Sequence, residues 1–208
     1  MRDVSGVLTN QSKKESESEN KKEKNNKKNS HLVWMDLEMT GLDPESGDRI
    51  IEIAVIITDS DLNIIATGPV LAIHQEKSLL DKMDAWNTKT HGGSGLVQRV
   101  LDSTISEQDA ERQILNFIKK YVKKNQSPLC GNSIWQDRRF LAKYMPKLEQ
   151  YLHYRLIDVS TIKELAKRWA PKIYSDYEKE SKHQALADIQ ASIDELKYYR
   201  AAFLKNPI

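Results

Sequence analysis

Residues 31–74 read HLVWMDLEMTGLDPESGDRIIEIAVIITDSDLNIIATGPVLAIH, and the fold class follows from how this stretch divides. HLVWMDLEM (31–39) is a short apolar run interrupted by acids. RIIEIAVIIT (49–58) is long and β-branched, and LNIIATGPVLAIH (62–74) follows Asp59-Ser60-Asp61, a turn signal. Three strands with such short links predict an antiparallel meander. Downstream the pattern turns helical around residues 79–86. Ser106 and Asp109 then form a capping box ahead of Ala110, Ile114, Phe117, Ile118, Tyr121 and Val122, which share one helical face.

The second half alternates. SPLCGN (127–132) reads as a short strand opened by Pro128, and residues 138–144 as a helix stopped near Pro146. RLIDVS (155–160) is another strand, and residues 161–169 form a helix ended by Pro171. A polar loop is expected over 172–182. Leu186, Ile189, Ile193 and Leu196 recur at helical spacing and close the chain with a helix. Three strands followed by alternating helices and strands predict an α/β fold, a mixed sheet with flanking helices.

Residues 1–30 stand apart. Their only large apolar side chains beyond the first methionine are Val4, Val7 and Leu8, and positions 13–28 hold only Lys, Glu, Ser and Asn. Such a stretch buries too little apolar area to offset its ordering entropy, so a disordered tail is expected, followed by a single domain over 31–208. The tail carries one Arg and seven Lys against one Asp and four Glu, a surplus of +3 in a chain whose net charge is +2. Residues 31–208 therefore carry −1. That disfavours a domain gripping a long nucleic-acid backbone and suits a short substrate held at few phosphates. No apolar run approaches the roughly 20 residues that span a bilayer, and no secretory signal opens the chain. Cys130 is the sole cysteine, which removes an internal disulfide and a cysteine zinc site. A reducing, cytoplasmic setting is expected.

The acids in these blocks carry the chemistry. Asp36 and Glu38 lie two apart on a strand and so share one face of the sheet. Two carboxylates there repel unless a cation sits between them, and a hard divalent ion takes such oxygen ligands. Taken alone, this pair serves a solvated strand end as well as a metal site. Asp137 begins a helix, where an acid also complements the dipole. Asp188 alone reads as well as an exposed helical acid. If His183 and Asp188 were both helical they would lie about 140° apart, so His183 belongs before the helix, over the site. There it can take a proton from water near neutral pH.

Taken in order, these residues resemble the DEDDh branch of the DEDD 3′→5′ exonucleases. The longer strings WMDLEMTGLD (34–43), IIEIA (50–54), MDAWNTKTH (83–91), CGNSIWQDRRFLAKYMP (130–146), HYRLIDVSTIKELAKRW (153–169) and HQALADI (183–189) resemble the oligoribonuclease family within it, across nearly all of 32–204. The resemblance implies a ribonuclease-H-like fold, a homodimer, and degradation of short RNA, down to dinucleotides, to 5′-mononucleotides. It implies two divalent ions, Mg²⁺ or Mn²⁺, held by Asp36, Glu38, Asp137 and Asp188, with His183 as general base. It further implies that Leu42 wedges against the bases and Trp86 stacks on one. Ser133, His91, Tyr154 and Arg155 would contact the 5′ phosphate, the partner subunit supplying the His153-Tyr154-Arg155 segment. Ala187 and Trp135 depart from the family pattern. Two other readings stand beside this one: the same five residues serve a DNA exonuclease, and the fold also suits a non-catalytic RNA-binding module.

Overall fold

The computed structural model describes residues 31–177 and 184–204. The expected tail (1–30) and His183 lie outside the described residues. Strand β1 (Leu32–Met39) is followed by a 3₁₀ turn at Pro44–Ser46, capped by Asp43, and by β2 (Ile50–Thr58). The expected third strand is two, β3 (Ile64–Thr67) and β4 (Leu71–Ala72). Proline at 69 has no N–H for a ladder. Gly68 also packs so closely that an added Cβ would lie 2.4 Å from Val55 Cγ1. Leu62 is not strand at all; it adopts φ 70° in the turn closed by Asp59.

Four helices follow: α1 (Lys77–Leu80), α2 (Ala85–Gly93), α3 (Leu96–Asp102) and α4 (Glu107–Ile118). The helix expected at 79–86 is thus broken. Asp84 caps a new helix by accepting from Asn87 N at 2.7 Å, which places Trp86 in its first turn. Ser106 caps α4 as expected, accepting from Asp109 N at 3.1 Å. Next come β5 (Leu129–Gly131), α5 (Ile134–Tyr144), α6 (Pro146–Glu149), β6 (Leu156–Asp158), α7 (Val159–Trp169), α8 (Pro171–Ser175) and α9 (Ala185–Ala202). Helix α5 begins four residues before the expected start. Pro146 and Pro171, expected as stops, also open the next short helices, since proline is tolerated in a first turn. The loop expected at 172–182 is helical up to Ser175, and 178–182 lie outside the described residues.

The sheet runs β3-β2-β1-β5-β6, with β4 also on β2. The β1/β2, β2/β3 and β2/β4 pairs are antiparallel; β1/β5 and β5/β6 are parallel. Alternation along β1 divides the core. Val33, Met35 and Leu37 pack with Ile114 and Ile118 of α4 and Phe140 and Leu141 of α5. Trp34 faces the other layer, among Val159 and Ala166 of α7 and Ile189 and Ile193 of α9. Each such fully buried side chain contributes about 1.5–3 kcal/mol. Trp34 Nε1 donates to Thr58 Oγ1 at 3.0 Å, so its indole is buried without an orphan donor. Cys130 is buried in this second layer, as a small strand residue.

Candidate active site

On β1, Asp36 and Glu38 share the Trp34 face, which α9 covers. The first turn of α9 brings in Asp188. One carboxylate oxygen from each of Asp36, Glu38 and Asp188 lies within 4.8 Å of the others. The fourth acid arrives from α5. Strand β5 pairs with β1 only at Val33 and Trp34 before the chain turns away into that helix. Further along β1, Asp137 Oδ1 accepts the Leu37 N–H at 2.9 Å, on the peptide between the two strand acids. The site thus sits at the carboxyl ends of β1 and β5, where open α/β sheets leave a crevice.

Burial and like charge dominate the electrostatics of the site. Burial, then Asp188, Glu52 and Asp137, push Glu38 up to about 8, and Arg99 opposes this. Burial likewise raises Asp137 to about 7 against the Leu37 hydrogen bond. Three partly buried carboxylates converging on one point are an oxygen donor set that fits a hard divalent cation. They have no such fit to a soft metal.

Glu52 is a further acid at this site, one that no spacing in the sequence links to the others. It stands directly across from Glu38 in the β1/β2 register and is 1% exposed. Its Oε2 accepts the Ala185 N–H at 3.2 Å, and Arg99 pairs with its other oxygen. It therefore ties β2 to the first residue of the helix that delivers Asp188. A lone acid inside an apolar strand, Ile50–Thr58, was the available signal. Behind Asp188, Ser192 Oγ donates to its carbonyl at 2.8 Å and accepts from Asn132 Nδ2 at 2.8 Å.

The remaining expected residues are placed as follows. Leu42 and Trp86 are exposed at 69% and 59%, so neither is core. Gln136 and Arg139 of α5 both donate to the Leu42 carbonyl. Ser133 is exposed at φ 49°, and its N–H donates to Asp158 Oδ1 at 2.9 Å. His91 is buried. Its Nε2 lies 3.1 Å from the Met39 carbonyl, which can only accept, so that nitrogen carries the proton. The other nitrogen is 3.9 Å from Glu38. Tyr154 is exposed, stacked on His153 at 4.4 Å, with the Arg155 guanidinium 5.5 Å from its ring centroid. Ala187 is half-buried on α9, and Trp135 is exposed on α5 with Arg139 over its ring. His183 cannot be placed among the described residues, which resume at Gln184, the cap of α9.

A family model for exonucleases, RNase T, matches residues 33–196. The oligoribonuclease of Marinobacter nauticus is 63% identical over 174 residues, 84% of this chain and 96% of that protein. That of Halorhodospira halophila is 62% identical over 177 residues, 85% of this chain and 96% of its own. Among solved structures, Escherichia coli Exonuclease I in complex with a dT13 oligonucleotide superposes with a TM-score of 0.62 at 18% identity, over 82% of this chain and 41% of that one. A 3′-exonuclease that recognises the histone mRNA stem-loop gives 0.59 at 16% identity, over 95% of this chain and 74% of that one. At such identities these two speak for the fold alone.

Proposed function

The chain belongs to the oligoribonuclease family of RNase T exonucleases, and from that membership we propose that it degrades short RNA, down to dinucleotides, to 5′-mononucleotides at a two-metal site with His183 as general base. It is a phosphodiester hydrolase of the 3′→5′ exoribonuclease kind. The convergence of Asp36, Glu38 and Asp188 within 4.8 Å is the observation that carries the chemistry.

These three and Asp137 would hold the divalent ions. When bound, such ions polarise the phosphoryl oxygens and neutralise charge on the attacking and leaving oxygens. The protein's own residues do the rest. Asp137 fixes α5 to β1 through the Leu37 N–H, so the strand acids and the helix acid keep one geometry. Glu52 holds the start of α9 against the sheet and thereby sets where Asp188 enters. His183 would accept the proton of the attacking water. That water's oxygen bonds to phosphorus as the bond to the leaving 3′ oxygen breaks, giving a 5′-mononucleotide and a new 3′-OH. Positioning and electrostatics supply most of the acceleration.

Length selection would come from walls that close on two nucleotides. Leu42 would wedge between bases, and Trp86 would stack on one, a contact worth about 1–3 kcal/mol per base. Both are exposed, as that requires. Ser133 would meet the 5′ phosphate together with His91. Tyr154 and Arg155 would cap it from the partner subunit of a homodimer; the exposed, stacked ring supports that role. The domain is residues 31–208, with 1–30 dispensable for dinucleotide turnover. Among the described residues no helix is long and apolar enough to cross a membrane. A cytoplasmic location and Mg²⁺ or Mn²⁺ as the working ion complete the reading.

The test is direct. Purified protein is mixed with Mg²⁺ and 5′-labelled RNAs of two, five and twenty nucleotides, with EDTA, Asp36→Ala and a DNA dinucleotide as controls. Metal-dependent cleavage that favours the RNA dinucleotide is the expected result. Equal cleavage of the twenty-mer or of DNA overturns the substrate assignment. No cleavage at all favours a binding module.

A further inference from the structure

Asp137 and Arg138 are adjacent on α5 and point to different places. Asp137 reaches β1 and the acidic centre. The Arg138 guanidinium turns to the segment between α6 and β6. Its Nη1 donates to the carbonyls of His153 and Tyr154 at 2.9 and 3.0 Å. Its Nε and Nη2 donate to Glu149 Oε1 at 2.9 and 2.7 Å. The pair is about four-fifths buried on both sides, with 19% and 21% of the side chains exposed. A rigid planar fork held by a carboxylate at one end and two successive carbonyls at the other fixes backbone, not merely charge.

The segment needs that fixing. Its first residues are held by Asn125 N on the Tyr151 carbonyl at 2.8 Å; next to Tyr154, His153 N donates to the Ser127 carbonyl at 2.8 Å and Arg155 N to His153 Nδ1 at 3.1 Å. Among the described residues, Arg138 alone donates to the Tyr154 carbonyl, while the ring stands out from the surface. An exposed aromatic ring keeps one direction only if its backbone is held.

We propose that Arg138, braced by Glu149, is a positioning residue that sets the direction of the Tyr154 ring, so that one helix places both a metal-binding carboxylate and the cap. The proposal rests on the reading of Tyr154 as a cap supplied to the partner subunit. Each α5 then serves its own metal site through Asp137 and the partner's substrate site through Arg138. A defect in Arg138 must therefore appear in the other subunit.

Steady-state kinetics on an RNA dinucleotide test this with the full chain. Arg138→Ala is expected to raise KM by roughly 10- to 100-fold, the scale of an ångström-sized misplacement, while kcat falls far less. Arg138→Lys, which keeps the charge but loses the fork, should recover part of the loss, and Glu149→Gln should fall between. Arg138→Ala and Asp36→Ala chains are then co-expressed under different tags and the mixed dimers purified. Their one live metal site lies in the Arg138→Ala chain, capped by an intact segment, so its KM should return to the wild-type value. Absence of that return overturns the proposal. If Tyr154→Ala raises KM but the Arg138 and Glu149 variants do not, the proposal fails and the cap stands. If Tyr154→Ala leaves KM unchanged, the cap reading fails and takes the proposal with it.

Discussion

Removing divalent ions should make this protein less stable as the pH rises. Glu38 sits partly buried beside Asp188, Glu52 and Asp137, and its carboxyl is lifted from an ordinary 4.5 to about 8. The folded protein then holds that proton more tightly than the unfolded chain does. Between about pH 4.5 and 8 the unfolded state binds fewer protons, so stability is highest at the acid end and is lost as pH climbs through the window. At about 1.4 kcal/mol per pKa unit the ceiling is roughly 5 kcal/mol. Asp137 is lifted to about 7 chiefly by its own burial and is itself one of the charges that raise Glu38, so the two do not add independently. Relaxation of the carboxylates and water entry reduce the expected loss to about 2–4 kcal/mol, or roughly 4–16 °C in Tm for a domain of this size. The assay is thermal unfolding in EDTA from pH 5 to 8, repeated with Mg²⁺. Asp43, Asp59 and Asp109 are shifted the other way and titrate below this range. Mg²⁺ should flatten the curve, as should Glu38→Gln without metal. A metal-free Tm that holds or rises to pH 8, or a Glu38→Gln protein with the wild-type slope, would refute the reasoning.

Three further outcomes are expected. Asp188→Ala should cut dinucleotide turnover on the order of 10³-fold, the value of several kcal/mol of charge stabilisation, with circular dichroism unchanged. His183→Ala should lower kcat by roughly 10²–10⁴-fold and remove the acid limb of the pH–rate profile, with metal binding by calorimetry little altered; an unchanged profile would show that His183 is not the base. Glu111 is 6% exposed and accepts from Lys147 N and Leu148 N at 2.6 and 3.1 Å; Leu148 N also reaches the Met145 carbonyl, so Glu111→Ala strips the Lys147 N–H of its partner and weakens the bonding of Leu148 N. It should cost about 1–3 kcal/mol in urea unfolding with kcat nearly unchanged.

Residues 31–74 determined the meander by themselves, because alternation and β-branching act over a few neighbours. The same locality placed Asp36 and Glu38 on one face, capped α4 with Ser106, and put Asp137 in a first turn. Motif strings identified the family, since they preserve the outcome of tertiary constraints in linear form. What the chain could not show locally was which distant groups meet. Asp188 joins Asp36 and Glu38 across some 150 positions because α9 packs on the Trp34 face. Glu52 looks like a misplaced charge in an apolar strand until Ala185 N and Arg99 close around it. Nor does the sequence show that His91 is buried beside Glu38, with the Met39 carbonyl facing its Nε2. Arg138 looks like a surface arginine in sequence, yet its fork closes on carbonyls 15 and 16 residues away. Periodicity assigns a residue to a face, but only packing decides what that face touches, because burial and hydrogen bonding are settled by the whole chain at once.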